Sequence, residues 1–313
     1  MRQALRLQHT LKEVFLEGKQ PALPPLPLPA SAPAPSHFVA KPADRPKIKL
    51  PVIKGEAPSI SLMSMVDRYL YSLPVGDEPE HHITFKLGGH RRRGVFHPSD
   101  LCKEDQCKRY LAYELYAAPQ NNAKVDARLR RIFDNGHAVH ARLQHVMTEA
   151  AKAEGGAFYP EVGLPPNDLR IAGTTDGLLI LKWAYFTEIK SMNMADFKDL
   201  GARPWPDHQR QVNIYMGLSP QALGAQVTAA NIVVECKNNQ DAREYFVRFD
   251  PKMWAESQAL AKNVLEVAQA GELPAQITEK QGCGLKRCKF YDICKGPRAS
   301  WRPDGPLVPL TKR

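Results

Sequence analysis

The sequence has no apolar run that approaches the ~20 residues needed to cross a membrane. Near Met1 it also lacks the apolar block and small-residue cleavage site of a secretion signal. These two absences lead to the expectation of a cytoplasmic protein with no membrane partner. Acidic residues are few relative to basic ones: 33 Asp and Glu against 43 Lys and Arg leave a formal charge of +10. That balance suits a polyanionic partner, with nucleic acid first in line. Cysteine is sparse, six in 313 residues, and in a reducing compartment structural disulfides are not expected. Metal or cluster ligation then becomes the reading for any cysteines that are grouped. Apolar residues make up 43% of the chain, enough for a real core in one large domain or two ordinary ones.

What is present begins with organisation. Residues 1–20 carry a short amphipathic helical pattern with Leu7, Leu11, Val14 and Phe15 to one side; a docking helix and a frayed tail both fit it. The segment 21–57 contains PALPPLPLPASAPAP and is expected to be a disordered linker or spacer. Residues 58–95 form an N-terminal extension, with a helix expected over Ser59–Leu73 and a basic cluster at His90–Arg93. Exposed, that cluster suits phosphates. The main domain spans 96–296, and 297–313 is a tail.

The most informative stretch is IAGTTDGLLILKWAYFTEIKS, Ile171–Ser191. It reads as two strands joined by a tight turn near Lys182 and Trp183. Side chains alternate along a strand, so Glu188 and Lys190 share one face while Thr187 and Ile189 take the other. A turn centred near Lys182 sets Asp176 opposite Glu188. Two carboxylates and a lysine on one hairpin face make a candidate site for Mg²⁺ or Mn²⁺, which prefer oxygen ligands. A solvated strand face with a turn at Asp176-Gly177 is the plainer alternative.

Flanking elements frame this hairpin. Helical spacing over Lys124–Lys152 aligns Val125, Leu129, Ile132, Phe133, Val139, Leu143 and Val146, with Gly136 and His140 on or beside that face. Ala157–Leu164 reads as a strand containing Glu161. A helix over Pro206–Leu218 places His208, Gln211 and Tyr215 to one side. Strands are expected at Gln226–Cys236 and Arg243–Phe249, then a helix at Trp254–Ala268. Upstream, Ser99 is a candidate cap for one helix carrying Cys107, Arg109, Tyr110 and Tyr113. This order predicts a mixed α/β core around one sheet.

Near the C-terminus, GCGLKRCKFYDIC groups Cys283, Cys288 and Cys294 within twelve residues, flanked by Lys286, Arg287 and Lys289. Three thiolates are one short of a closed zinc or iron–sulfur site. Cys102 and Cys107 are both candidates for the fourth, and Cys236 reads as ordinary core. A remote fourth ligand would clasp the end of the chain onto the helix before the core.

Together these residues resemble the PD-(D/E)XK nuclease superfamily, in particular its RecB-like branch with the CRISPR-associated iron–sulfur exonucleases. The resemblance runs through Gly136 to His140 (G-x-x-x-H), Gly173 to Gly177 (G-x-x-D-G), Glu188-Ile189-Lys190 (E-x-K) and Gln211 to Tyr215 (Q-x-x-x-Y), bracketed by the cysteines. It covers about 96–296. The gap from Cys283 to Cys288 is longer than is usual in that branch, and residues 1–95 match no pattern of it. The resemblance implies a restriction-endonuclease-like core, a mixed central sheet flanked by helices, with the cysteine cluster clasped to an N-terminal helix.

It further implies a Mg²⁺- or Mn²⁺-dependent DNA nuclease, an exonuclease acting on single- or double-stranded ends in repair, recombination or phage DNA metabolism. The metal ligands implied are His140, Asp176, Glu188 and the carbonyl of Ile189, with Lys190 on the attacking water. Gln211 and Tyr215 would position substrate or lysine, and Glu161 would orient a ligand. The cofactor implied at Cys107, Cys283, Cys288 and Cys294 is a 4Fe–4S cluster, with zinc as the alternative. The setting implied is bacterial cytoplasm, or phage-encoded within it. Competing readings are a structure-specific endonuclease, a non-catalytic DNA-binding scaffold that keeps the fold, and a zinc-dependent adaptor recruiting a protein partner through its N-terminal segment.

Overall fold

The computed structural model describes residues 48–51, 55–75, 83, 91–103, 106–121, 126–278, 283, 288–303 and 305–310. Of the two compact units of the chain, 1–46 and 47–313, these all belong to the second. The expected N-terminal helix, most of the proline-rich segment, His90, Lys286 and Arg287 lie outside the described residues.

In chain order the elements are α1 (Leu62–Ser72), α2 (Pro98–Leu101), α3 (Lys108–Leu115), α4 (Ala127–Ala153), β1 (Ala157–Leu164), β2 (Gly173–Ile180) and β3 (Ala184–Met192). They are followed by α5 (Met194–Lys198), α6 (Pro206–Leu223), β4 (Ala229–Cys236), β5 (Ala242–Arg248), α7 (Pro251–Gln269) and α8 (Tyr291–Cys294). The strands form one sheet in the order β1-β2-β3-β4-β5. All pairs are antiparallel except β3–β4, which is parallel. A parallel neighbour requires a crossover, and α5 with α6 supplies it. This is a mixed α/β architecture, a central five-stranded sheet flanked by helices.

Helices on both faces explain why β4 is buried at every position, reading AANIVVEC without alternation. On one face Leu101, Leu111, Val212 and Val264 pack against Phe186, Ile232 and Val234. On the other, Met65 of α1 and Leu143 and Met147 of α4 pack against Tyr185, Ile189 and Val233. Each such buried aliphatic side chain contributes about 1.5–3 kcal/mol. Side chains also fix the helix starts. Asp126 accepts from the Leu129 N–H at the head of α4. Glu244 of β5 accepts from Ser61 Oγ and from the Leu62 and Met63 N–H groups, tying the positive end of α1 to the sheet edge.

Two expectations are corrected here. The single helix carrying Cys107 is two helices: Pro98 opens α2 at its first turn, Ser99 lies inside it, and Cys107 is the residue that precedes α3. The apolar face of α4 is buried only from Val139 onward. Leu129, Ile132 and Phe133 are exposed, because the sheet ends before the helix does.

The C-terminal segment is tied to the α3 region. Asn121 donates its backbone N–H to the Lys289 carbonyl and its side-chain amide to the Cys288 carbonyl, and its side-chain oxygen accepts from Asp292 N–H. Lys289 forms an ion pair with buried Glu114. Phe290 lies fully buried between Tyr110 and Tyr113, with ring centroids 5.2 and 5.3 Å away.

In the middle of β2, Gly177 is needed for space. A Cβ there would lie 2.0 Å from Cζ of Phe158. Gly177→Ala is therefore expected to cost about 1–3 kcal/mol through overpacking. Urea unfolding checks this, and a partial recovery is expected when Phe158→Leu is added. Unchanged stability in the single variant would mean that the ring moves freely.

Candidate active site

The hairpin folds locally as its period-two pattern requires. The ladder β2–β3 runs from Ile180↔Ala184 to Gly177↔Thr187, around a turn at 181–183. Continued by one residue, that register sets Asp176 opposite Glu188, but the ladder stops there. Beyond this point β2 pairs only with β1, and β3 only with β4. The two strands part, and the notch between them begins at the two carboxylates. Asp176 spans it: its Oδ2 accepts from the Ile189 N–H at 2.7 Å.

Glu188 is fully buried, and one oxygen carries all its contacts. Oε1 receives Lys190 Nζ at 2.5 Å and Gln211 Nε2 at 2.8 Å. The Gln211 amide also donates to Tyr215 Oη at 2.8 Å, and its oxygen accepts from Lys190 at 3.0 Å. Both N–H bonds and the oxygen of that amide are thus engaged, which holds lysine and glutamate in one geometry. Position 211 reaches the site because α6 lies over this face of the sheet, and Tyr215 stacks edge-on to Phe186 four residues further along α6. Glu188 Oε2 is buried with no hydrogen-bond partner among the described residues.

From α4, His140 brings Nδ1 to 3.4 Å from Asp176 Oδ1. One turn on, Gln144 donates to the Asp176 carbonyl at 2.8 Å and to Glu161 Oε1 at 2.9 Å. Glu161 stands opposite Asp176 between the pairs Pro160↔Gly177 and Val162↔Thr175, with φ +53°, a strained left-handed conformation for glutamate. Gln144 was not marked by the sequence reading; its signal is the four-residue step from His140 along one helix face. His208, three residues before Gln211 on α6, packs its ring on Trp205, and burial followed by the nearby Lys190 charge lowers its pKa to about 4.

These charges shift one another. Burial, then the neighbouring Asp176 charge, pushes the Glu188 carboxyl up to about 7. Burial works against the Lys190 ammonium, but Glu188 outweighs it and raises its pKa. Burial likewise opposes the His140 imidazolium, and the hydrogen bond and charge of Asp176 prevail to raise it. Burial holds the Tyr215 phenol well above its ordinary range, so it stays protonated.

The sign of the pH effect follows. Between its ordinary 4.5 and its folded value near 7, Glu188 holds more proton in the folded than in the unfolded state. Stability contributed by that proton falls as pH rises through this window, and His140 adds the same sign as pH rises above its ordinary 6.5. In EDTA, the urea midpoint is expected to drop between about pH 5 and pH 8, with a shallower slope in Glu188→Gln. An identical slope in that variant would place its origin elsewhere.

Among the described residues, no three His, Cys, Asp or Glu side chains come together as a closed metal-holding group. The notch nevertheless fits a hard divalent cation by its donor set. Glu188 Oε2 is an orphaned buried carboxylate oxygen, and Asp176, the Ile189 carbonyl and His140 flank it in sequence or space.

Cysteines from before and after the sheet lie within electrostatic reach of one another, without forming a metal-holding group among the described residues. The Cys107 thiol, raised by burial, also feels Cys294 and Cys283. The Cys288 thiol, raised by burial too, feels Cys107, Cys283 and Cys294. Cys102 is elsewhere: burial, then Asp207, pushes its thiol up to about 12, and Lys190 is among its neighbours. Cys236 is buried at the end of β4.

No protein-family model matches the sequence, and no curated protein matches it. Among solved structures, the chain is similar to the crystal structure of SSO0001, with 17% identity over 75% of this chain and 94% of that one, TM-score 0.42. It is also similar to an alkaline exonuclease, LHK-Exo, from Laribacter hongkongensis, with 16% identity over 57% of this chain and 90% of that one, TM-score 0.40. The same exonuclease in complex with dAMP matches at 16% identity, over 56% and 89% of the two chains, TM-score 0.40. Among the described residues, no helix is long and apolar enough to cross a membrane.

Proposed function

We propose that this chain is a metal-dependent DNA nuclease of the PD-(D/E)XK type that trims DNA ends. The observation that carries this reading is the notch where β2 and β3 part, with Asp176, Glu188 and Lys190 at its mouth and an unpartnered oxygen on buried Glu188.

Asp176, Glu188, the Ile189 carbonyl and His140 would hold Mg²⁺ or Mn²⁺. Bound there, the cation lowers the pKa of its water and polarises a phosphoryl oxygen. The protein's own groups do the rest. Lys190 Nζ, anchored by Glu188 and Gln211, presents its remaining donor to the attacking water or the phosphate oxygen that gains charge. Gln211 and Tyr215 position the lysine, and Gln144 with Glu161 steadies the Asp176 main chain. Cys107, Cys283, Cys288 and Cys294 are assigned to a 4Fe–4S cluster, with zinc as the alternative. Their mutual proximity and the ties from Asn121 to the C-terminal segment favour Cys107 over Cys102 as the fourth ligand. The cluster's role is to hold the C-terminal segment in place.

The test is digestion of end-labelled single- and double-stranded linear DNA beside a closed circle, with Mn²⁺, Mg²⁺ or EDTA. Metal-dependent loss of linear DNA, absent in Glu188→Ala, is expected. Cutting of the circle would move the activity to an endonuclease. Folded, metal-replete protein that binds DNA and never cuts would leave the scaffold reading in its place.

A further inference from the structure

One stripe of α4 runs Leu129, Phe133, Gly136, His140, Leu143 and Met147, at steps of three and four residues that keep it on one side of a helix. Its C-terminal half is core: Leu143 is 2% and Met147 0% exposed. Its N-terminal half overhangs the sheet, with Leu129 38% and Phe133 51% exposed and Ile132 beside them 38% exposed. Between the halves stands His140 at the notch. Phe133 lies two turns, about 10 Å, from His140 along the axis.

Three further observations say what this face meets. Arg128, Arg130 and Arg131 are all exposed and interleave with the apolar residues. Gly136 faces the end of the sheet, where an added Cβ would stand at ordinary contact distance, 3.8 Å from Ser191 Oγ and 4.0 Å from Lys237 Nζ, so Phe133 and Leu129 lie beyond the last strand residues. An open cleft of about 460 Å³ flanks the helix there, lined by Asn135, Val139, Arg142, Glu235 and Lys237 among others. Aromatics and arginine occur in protein interfaces as well, but three exposed arginines on a chain of formal charge +10 favour a polyanion. Aromatic and aliphatic side chains set among arginines are what a single nucleic-acid strand uses, with bases on the rings and phosphates on the cations.

We propose that the exposed N-terminal half of α4, centred on Phe133, is a stacking site for the bases of a single-stranded DNA end as it is led to the notch. The site deepens the nuclease reading by naming the form of substrate that the notch receives: an unpaired strand, passing Phe133 about two helical turns before it reaches His140.

The experiment is fluorescence anisotropy of a labelled oligo(dT) with the full chain in EDTA, so that no chemistry intervenes. Phe133→Ala is expected to weaken binding about 5- to 100-fold with an unchanged salt slope, because a stacked base and not a phosphate is lost. Phe133→Trp is expected to keep affinity, with its emission quenched on binding. An oligonucleotide with abasic positions should bind wild type more weakly and Phe133→Ala no differently. Unchanged affinity in Phe133→Ala overturns the proposal. So does a wild-type dimer that Phe133→Ala dissociates with DNA affinity intact, which would give this face to a second copy of the chain. Phe133 is exposed, so loss of folding is not expected, and circular dichroism checks it. Failure of the nuclease reading appears separately, as absence of cleavage with Phe133-dependent binding retained.

Discussion

Lys190→Met is expected to abolish measurable cleavage of linear DNA, a loss of about 10³-fold or more, while DNA affinity in EDTA changes less than about threefold. Methionine keeps the length of the side chain but carries no proton and no charge. Among the described residues, the Lys190 ammonium hydrogen-bonds only to Glu188 and Gln211, so the loss is expected to be confined to the notch. The substitution also removes the cation beside Glu188, and the carboxyl should become harder still to ionise. Higher pH and Mn²⁺ should therefore not restore activity. Lys190→Arg is not expected to rescue, because a planar guanidinium cannot replace a compact ammonium held by one carboxylate oxygen and one amide oxygen. Gln211→Ala should lower activity less, by about 10- to 100-fold, since the lysine keeps Glu188. Lys190→Met protein that cuts at the wild-type rate would falsify the assignment of this notch as the catalytic centre.

Cys288→Ser is expected to remove the bound metal or cluster and to lower the melting temperature by about 10 °C or more, since ligand bonds between distant segments are folding energy. Anaerobically purified wild type should be brown, absorbing at about 400 nm if the site holds iron and sulfur, and colourless with one equivalent of zinc if it does not. The C-terminal segment should become the first site of proteolysis in the variant, because Asn121, Glu114 and the Phe290 ring then hold it without help. Cys107→Ser should match Cys288→Ser in colour and metal content, whereas Cys102→Ser should keep both, because Cys102 lies beside Lys190 and away from the other thiols. Loss of the chromophore in Cys102→Ser with retention in Cys107→Ser would reverse that choice. Wild type without metal under anaerobic conditions would sink the cluster altogether.

How much of this was legible follows from the distance over which each feature is decided. The hairpin was readable because it is local. Period-two alternation and a turn near Lys182 place Asp176, Glu188 and Lys190 without reference to any other segment, and the observed register agrees. The long helix, the β1 strand and the helix with Gln211 and Tyr215 were likewise carried by their own periodicity. The bracket of cysteines and the basic balance needed only counting.

Other features depend on which segments meet. Ser99 as a cap gave way to Pro98 opening a shorter helix. Cys102 and Cys107 are five residues apart and both open as ligands from spacing alone, with Cys107 the one the family resemblance implies, yet they face different neighbourhoods once α2 and α3 separate. Gln144 is an ordinary polar helix residue until β1 and β2 bring Glu161 and the Asp176 carbonyl beneath it. The parting of β2 from β3 cannot be read from either strand, because it arises where each loses the other and keeps only its outer neighbour, β1 or β4.

Phe133 makes the same point from the opposite side. Helical periodicity reports which residues share a face, and by that measure Leu129 and Phe133 belong with Leu143 and Met147. Only the extent of the sheet beneath the helix decides which of them are covered, and Ser191, near the end of β3, lies beside Gly136, short of Phe133. The sequence by itself thus determined the elements and the chemical groups on them, because alternation, helical spacing and residue type are properties of a short stretch of chain. The tertiary structure alone decided the notch, the buried Glu188 oxygen without a partner among the described residues, the separate surroundings of Cys102 and Cys107 and the overhanging aromatic face, because each is a property of what another segment covers or leaves open.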